Sequence, residues 1–129
     1  MKLLYSNIVI HYLKGVDSVV VRLQSSLPRE LAIPSVVSYE IEYGTLHSGS
    51  RRRAVVSGLL DGLAQVPFDH DAARDVARIR KELETRGLAI GPLDLLIAAT
   101  AVSRGVVLVT SNTKEFSRVK GLRLEDWTR

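Results

Sequence analysis

Short apolar runs alternate with longer stretches of helical periodicity along this chain, and this alternation narrows the folds that it can adopt. Leu3-Leu4, Leu31-Ala32-Ile33-Pro34 and Gly105-Val106-Val107-Leu108-Val109-Thr110 have the length and apolar content of buried strands, and each is followed by polar residues and a helical pattern. Strands that alternate with helices predict a parallel sheet with helices on both faces. The predicted fold class is therefore α/β, with three α/β/α layers around a central parallel sheet.

Turn residues and helix-starting residues set the predicted bounds of the other elements. Gly15 and Gly87 each close a helical pattern, and Pro34 and Pro92 stand where helices begin. The valine-rich segment 17–24 is ambiguous between helix and strand. The predicted helices are 8–14, one from 35 that carries Glu40, 51–64, 69–86, 92–104 and 113–118, and the remaining strands are 66–68 and an edge strand at 122–124.

The composition fits one domain that spans residues 1–129. Of the 129 residues, 46% are hydrophobic, which is enough to bury a core without cross-links. The chain has no cysteine, which excludes disulfides, thiolate metal ligands and cysteine nucleophiles, and we expect a cytosolic protein. The apolar run that opens at Met1 stops at Tyr5, far short of a signal-peptide core or a membrane span of about 20 residues.

The charge balance permits a polyanionic partner. The formal net charge is +4, and three arginines fall together at Arg51, Arg52 and Arg53. A modest positive charge is also common in proteins that never contact nucleic acid. Contact with an RNA backbone is therefore one interpretation of the three arginines, and a solvated helix start is the other.

Two acids and an amide are candidates for a functional site, namely Glu40, Asp94 and Asn112. We place each at or just past the carboxyl end of a predicted parallel strand, where the ligand sites of open α/β sheets lie. Oxygen ligands of this kind suit Mg²⁺, which keeps several waters and takes one or two protein carboxylates. The three residues together therefore predict a cation site that could act on a phosphodiester.

Each candidate also has an ordinary structural interpretation. Asp94 can be an acid in the first turn of a helix, where the helix dipole stabilises it. Glu40 belongs to a residue type that is common on solvated helices. Asn112 stands three residues before Glu115, and this spacing is typical of a capping box.

Five stretches of the chain resemble the PIN-domain ribonucleases, and within them the VapC toxins of VapBC toxin–antitoxin pairs. They span nearly the whole chain in the expected order and are Asn7-Ile8-Val9-Ile10-His11-Tyr12-Leu13-Lys14-Gly15, Glu40-Ile41-Glu42-Tyr43-Gly44, Gly91-Pro92-Leu93-Asp94-Leu95-Leu96-Ile97-Ala98-Ala99, Leu108-Val109-Thr110-Ser111-Asn112-Thr113-Lys114-Glu115-Phe116 and Gly121-Leu122-Arg123-Leu124-Glu125-Asp126-Trp127. The resemblance implies a PIN-like α/β/α fold and an endoribonuclease that depends on Mg²⁺ or Mn²⁺. The last stretch is similar to the tail of toxins that cut tRNA at the anticodon.

The same resemblance implies partners and roles for the site residues. Glu40 and Asp94 correspond to acidic metal ligands, and Asn112 to a catalytic-site residue that acts behind them or through a water molecule. The partners implied are a VapB-like antitoxin, which holds the toxin in check and links it to operator DNA, and a second copy of the toxin in a homodimer.

The chain departs from the family at Tyr5. Members carry an aspartate at the end of the first strand, typically in Asp-Thr-Asn, and this chain has Tyr5-Ser6-Asn7. A phenol, with a pKa of about 10, is neutral at pH 7 and a poor metal ligand, and its ring fills space that an ion would occupy. We therefore predict weakened or absent cleavage.

Two origins of Tyr5 remain open. Asp and Tyr codons differ by one base, so the residue can be an acquired change that detoxifies a nuclease. Alternatively, the chain is a natural, catalytically silent partner that binds the antitoxin and supports repression of their operator. The otherwise intact residues Ser6, Asn7, Glu40, Asp94 and Asn112 favour the first origin.

Overall fold

The fold consists of five short strands and seven helices, and the computed structural model describes every residue from Met1 to Arg129. A 3-10 helix at Pro28–Glu30 precedes the second strand. The elements in chain order are β1 (Lys2–Leu4), α1 (Ser6–Leu13), α2 (Asp17–Ser25), β2 (Leu31–Pro34), α3 (Ser35–Thr45), α4 (Ser50–Asp61), β3 (Ala64–Val66), α5 (His70–Thr85), α6 (Pro92–Arg104), β4 (Val107–Val109), α7 (Thr113–Phe116) and β5 (Leu124–Glu125).

All five strands run parallel in the order β3-β2-β1-β4-β5, which confirms the predicted central parallel sheet. Leu3 of β1 is aligned with Ala32 of β2 on one side and with Leu108 of β4 on the other. The chain first builds outward from β1 to β3, and then α5 and α6 carry it back to β4. The strand order therefore reverses between β1 and β4, and ligand sites of open α/β sheets lie beyond the carboxyl ends of the strands at such a point.

The core lies on the three central strands and on the helix faces that cover them. Both apolar residues of β1 are fully buried, and α6 buries the continuous stretch Ile97–Ala101. Alanines at three of these five α6 positions let the helix approach its neighbours closely, and α5 packs along α6 through its own apolar stripe. The largest fully buried side chains are Trp127, Phe116, Leu3, Leu4, Ile8, Ile33, Ile79, Leu83, Ile97 and Leu108.

Local signals account for most of the element bounds. Asp69 caps α5, because its Oδ1 accepts a hydrogen bond of 3.0 Å from the N–H of Ala72. Pro92 opens α6, and Gly105 ends it with φ 64°, a left-handed conformation that favours glycine. The ambiguous valine-rich segment is a helix, α2, and buries Val19.

Two edge strands differ from their predicted positions. The strand predicted at 66–68 is β3, at Ala64–Val66, because Pro67 has no N–H with which to continue the ladder beside β2. The strand predicted at 122–124 begins at Leu124, because Leu122 still belongs to the preceding turn, where its N–H donates to the carbonyl of Val119. No helix has both the length and the apolar content needed to cross a membrane.

A group of polar and charged side chains links the last strand to the first across β4. Glu125 Oε1 accepts hydrogen bonds from Lys2 Nζ at 2.9 Å, from Arg22 Nη2 at 2.9 Å and from Trp127 Nε1 at 2.7 Å. Burial raises the pKa of Glu125, but the hydrogen bonds from Lys2 and Trp127 and the two positive charges outweigh it, so the pKa lies below its ordinary value. Glu125 is therefore stabilised as a carboxylate.

This group predicts a pH-dependent contribution to stability. Glu125→Gln is expected to lower the free energy of unfolding by about 1 to 2 kcal/mol at pH 7. Because the folded-state pKa of Glu125 is lowered, its contribution is complete above the ordinary pKa of glutamate and is lost as the pH falls through the lowered value. Urea unfolding at pH 7 and near pH 3 measures the difference, which should shrink at the lower pH.

The matched control for this prediction is Glu84→Gln. Glu84 pairs with Arg80 at 3.0 Å, but the two side chains are 59% and 71% exposed, so its loss should cost less than about 0.5 kcal/mol. Equal losses in the two variants, or a Glu125→Gln effect that does not change with pH, would contradict the role assigned to the group.

Candidate functional site

Tyr5 lies at the centre of the carboxyl edge of the sheet. It follows β1 directly, and its N–H donates to the carbonyl of Val109 at 3.0 Å, so its backbone continues the pairing of β1 with β4. Its ring is half-buried and packs edge-on against Phe116, with 5.1 Å between the ring centroids. The Tyr5 hydroxyl donates a hydrogen bond of 2.6 Å to Asp94 Oδ1.

Glu40 and Asp94 both face Tyr5 from helices. Glu40 is the sixth residue of α3, which begins at the end of β2, and Asp94 is the third residue of α6. The prediction that both lie at or just past the end of a strand was wrong, because they lie within helices. These helices begin at this edge, and side chains from their first two turns project back towards it. Asn112, in contrast, does follow β4, as predicted.

Burial and a nearby negative charge raise the pKa of each of the two acids, and the charge is that of Asp94 for Glu40 and that of Glu115 for Asp94. Burial raises the pKa of Glu40, and the negative charge of Asp94 adds to the effect. Burial also raises the pKa of Asp94, and the hydrogen bond from Tyr5 opposes this rise only in part. Glu40 Oε1 is buried and has no hydrogen-bond partner, which is costly for a carboxylate oxygen and is typical of a site that takes a ligand.

The Tyr5 hydroxyl is held in its neutral form. Burial, the hydrogen bond to Asp94 and the negative charges of Asp94 and Glu40 together raise the pKa of Tyr5 above its ordinary value. Tyr5 thus supplies a neutral hydroxyl, not a negative charge, to the space between the two acids. The hydroxyl carries no positive charge and so neutralises neither carboxylate, and its hydrogen bond occupies Oδ1 of Asp94.

A second loop brings Asn112 and Glu115 to the same edge. The Nδ2 of Asn112 donates to Glu115 Oε2 at 3.2 Å, and Glu115 Oε1 accepts from the N–H of Gly91 at 3.0 Å. That N–H lowers the pKa of Glu115, and burial opposes it. The predicted capping box was wrong, because Asn112 gives its side-chain N–H to Glu115 and accepts no bond from the helix N-terminus.

The three consecutive arginines lie on the first turn of α4. Arg51, Arg52 and Arg53 are all exposed, which both interpretations require, and Arg52 also lines a groove between α1, α3 and α4. The groove has a volume of about 340 Å³, and Glu40 lines it as well. One arginine of the three therefore shares a groove with an acid of the site.

The chain shares sequence and fold with ribonuclease toxins. The PIN domain profile matches residues 3–122. The tRNA(fMet)-specific endonuclease VapC of Shigella flexneri is 42% identical over 101 residues, which cover 77% of this chain and 76% of the relative. This chain belongs to the VapC family of PIN-domain ribonucleases.

Solved structures of VapC toxins agree with this assignment across the whole fold. VapBC2 from Rickettsia felis, bound to a DNA fragment from its promoter, superposes with a TM-score of 0.88 at 34% identity and covers 98% of both chains. DNA-bound VapBC from Salmonella typhimurium gives a TM-score of 0.89 at 36% identity and covers 98% of this chain and 97% of that one. The predicted PIN-like α/β/α fold is confirmed.

The side chains at this edge do not make a complete metal site. PIN-domain ribonucleases in general depend on a divalent metal ion. Here Glu40 and Asp94 supply two carboxylates, but Tyr5 stands where the family resemblance implies a third, and its hydroxyl occupies Asp94 Oδ1. No group of three or more His, Cys, Asp and Glu side chains in the chain is arranged to hold a metal ion. The donor set as it stands therefore does not fit the Mg²⁺ or Mn²⁺ that the sequence predicted.

Two side chains at this edge make contacts that the sequence alone does not predict. The sequence predicts only a capping contact for Glu115, although its position three residues after Asn112 indicates that both can face one edge. Asn7 belongs to a stretch that resembles the family, and it links α1 to the loop after β4 by donating from Nδ2 to Ser111 Oγ at 2.6 Å. This link fixes the position of the loop that carries Asn112 and Glu115.

Proposed function

We propose that this chain is the toxin of a VapBC pair whose site is built to cleave tRNA and whose turnover is strongly reduced by Tyr5. One observation carries the proposal: the neutral Tyr5 hydroxyl donates to Asp94 Oδ1 at 2.6 Å, where the family resemblance implies a carboxylate. In this proposal Glu40 and Asp94 are the acids of the catalytic site. Asn112 acts on the acids indirectly. Its side chain holds Glu115, and Glu115 accepts a hydrogen bond from the N–H of Gly91 just before α6.

The reduced turnover follows from charge. A site that gathers a divalent ion and an anionic phosphodiester needs negative ligands for the ion. Tyr5 removes one negative charge from the set, fills part of the space with its ring and commits one Asp94 oxygen to a hydrogen bond. In the chain as it stands, two carboxylates and a neutral hydroxyl do not suit such an ion, and we assign Glu40 and Asp94 no turnover that depends on it. Mg²⁺ or Mn²⁺ is the cofactor proposed for a version with aspartate at position 5.

The substrate and partners of the proposal come from relatives and from charge. VapC of Shigella flexneri and VapC of Salmonella typhimurium are both named as tRNA(fMet)-specific endonucleases, and the net charge of +4 suits a polyanionic substrate. The structures from Rickettsia felis and Salmonella typhimurium are VapBC assemblies with DNA. We propose tRNA as the substrate, a VapB-like antitoxin as the partner, contact with operator DNA only through that antitoxin, and a homodimer of the toxin.

A second candidate function is a silent antitoxin-binding partner that supports operator repression. The hydrogen bond between Tyr5 and Asp94 favours it, because that bond satisfies the acid without any metal ion. In this alternative the antitoxin lays a peptide across the cleft and directs an arginine or lysine at Glu40 and Asp94.

Cleavage of a total tRNA pool in Mg²⁺ or Mn²⁺ separates the two candidates. The assay compares this chain, its Tyr5→Asp variant and a Tyr5→Asp, Asp94→Ala double variant. Cleavage by the Tyr5→Asp variant alone supports a toxin disabled at one position. Cleavage by none of the three favours the silent partner, and equal cleavage by this chain and its Tyr5→Asp variant contradicts the role of Tyr5.

A further inference from the structure

Helix geometry separates the three consecutive arginines into three directions. Neighbouring residues on an α-helix point about 100° apart, so Arg51 and Arg53 flank the face on which Arg52 lies. Arg52 and Val56 are one turn apart on that face, and Val56 is 1% exposed, which fixes the face as the one turned towards the body of the protein. Arg52 therefore lies where the packed face of α4 opens into the groove.

The groove connects Arg52 with the acid site. Its walls come from α1, α3 and α4 and from the turn that precedes α4. The lining combines the apolar side chains of Ile10, Leu13, Ile41 and Val56 with polar groups that include Ser6, Glu40, Ser48 and Arg52. Ser6 is adjacent to Tyr5, and Glu40 is one of the two acids. The volume of about 340 Å³ is sufficient for part of a nucleotide. A ligand in this groove can thus contact Arg52 and approach the acids at the same time.

The guanidinium of Arg52 is free to bind a ligand. Arg52 is exposed and makes neither an ion pair nor a hydrogen bond. Six of the thirteen arginines form ion pairs, and Arg52 differs from the other unpaired ones because it lines a groove. The ion-paired arginines are Arg22, Arg78, Arg80, Arg86, Arg104 and Arg129.

We propose that Arg52 binds an RNA phosphate that flanks the bond to be cut, and so positions the substrate on the acid site. The inference rests on the proposed function and adds to it the residue that holds the RNA backbone. A guanidinium forms two parallel hydrogen bonds to a phosphate, and the groove wall fixes the direction of approach. The positive charges of Arg51 and Arg53 beside it attract a polyanion without a defined contact.

An RNA phosphate suits this groove better than a peptide of the antitoxin. A peptide that directs a cation at Glu40 and Asp94 would place a second positive charge in the groove with Arg52. A phosphate chain places one anion on Arg52, and the Ser48 hydroxyl, which also lines the groove, makes no hydrogen bond within the protein and is free to donate to it.

The test is binding of a labelled tRNA(fMet) transcript to this chain in EDTA, followed by fluorescence anisotropy over a salt titration. Arg52→Gln is expected to weaken binding about 10-fold near 0.1 M salt and to reduce the slope of log K against log salt by about 0.7 to 0.9, the value for one lost phosphate contact. Arg52→Lys keeps the charge but cannot form two parallel hydrogen bonds. Its affinity for tRNA should therefore lie between those of the parent and of Arg52→Gln, with the salt slope of the parent. Arg51→Gln and Arg53→Gln should weaken binding by a smaller factor.

Arg29→Gln is the matched control for the loss of one positive charge. Arg29 is exposed, makes no ion pair and lies in the 3-10 helix before β2, at the amino edge of the sheet and away from the groove. The affinity of the Arg29→Gln variant for the tRNA transcript should stay within about twofold of that of the parent. An Arg52→Gln variant that binds no more weakly than Arg51→Gln and Arg53→Gln would overturn the proposal, as would one that loses affinity only for the antitoxin.

A kinetic arm separates this inference from the proposed function. In the Tyr5→Asp background, Arg52→Gln is expected to raise KM for tRNA about 10-fold and to leave kcat nearly unchanged. This is the result when a lost contact stabilises the bound substrate and the transition state equally. If the Tyr5→Asp protein cuts tRNA and Arg52→Gln leaves KM unchanged, the role of Arg52 is wrong and the proposed function stands. If that protein cuts nothing while the Arg52→Gln binding defect and slope change persist, the proposed function fails and the phosphate contact of Arg52 stands.

Discussion

A Tyr5→Asp variant is expected to cleave tRNA at least about 100-fold faster than the chain with Tyr5. Loss of a group that merely supports a metal ligand typically costs 10- to 100-fold, and the side chain at position 5 contacts Asp94 directly, so its effect should be at least as large. The substitution adds a carboxylate, removes the ring and frees Asp94 Oδ1 from its hydrogen bond of 2.6 Å. Single-turnover cleavage of tRNA in Mn²⁺ measures the change.

Two companion variants show which property of Tyr5 matters. Tyr5→Phe removes the hydroxyl but keeps the ring, and should remain as inactive as the parent if a missing charge is the cause. A readout independent of cleavage is thermal unfolding, in which Mn²⁺ should raise the Tm of the Tyr5→Asp variant and leave that of the Tyr5 chain unchanged. Activity in Tyr5→Phe equal to that of Tyr5→Asp would mean that the hydrogen bond, and not the missing carboxylate, limits the site.

Trp127→Ala is expected to be among the most destabilising single changes, at about 3 to 5 kcal/mol. Trp127 is 1% exposed, Arg22 lies over its ring at 5.8 Å, and its Nε1 donates to Glu125 at 2.7 Å. The substitution leaves a large cavity and removes one donor from the group that holds β5 near β1. For a chain of this size the loss corresponds to a fall in Tm of roughly 10 to 20 °C, which scanning calorimetry measures.

Trp127→Phe divides this effect into packing and hydrogen bonding. The smaller ring keeps most of the apolar contact and loses only the indole N–H, so we expect a cost of about 1 to 2 kcal/mol. A loss below about 1 kcal/mol for Trp127→Ala would mean that the tail is not part of the core and that the buried ring contributes little.

The elements that the sequence predicted well are those with a complete local signal. The helix predicted at 92–104 matches α6 at both ends, because Pro92 starts it, Gly105 stops it in a left-handed conformation and the apolar residues between them leave no other choice. The two edge strands shifted by two residues, since short strands at an edge have few apolar positions and their bounds depend on which neighbour they pair with.

The candidate site was predictable in its residue types and not in its contacts. Glu40, Asp94 and Asn112 do converge at the carboxyl edge of the sheet, as the parallel topology predicts. The bond of Asn112 to Glu115, and that of Glu115 to the N–H of Gly91, replaced the predicted capping box. Both arrangements satisfy the same side chains, so local spacing could not choose between them, and the position of α6 decided it.

The sequence by itself determined the α/β class, the positions of the acids along the chain and the anomaly at Tyr5. These properties depend on periodicity, turn residues and residue type, which act over a few turns of the chain. Only the tertiary structure decided that the Tyr5 hydroxyl bonds Asp94, 89 residues away, and that Arg52 alone among three arginines lines the groove with Glu40. Such contacts depend on how the helices dock on the sheet and on the direction in which each side chain leaves its helix, and distant packing sets both.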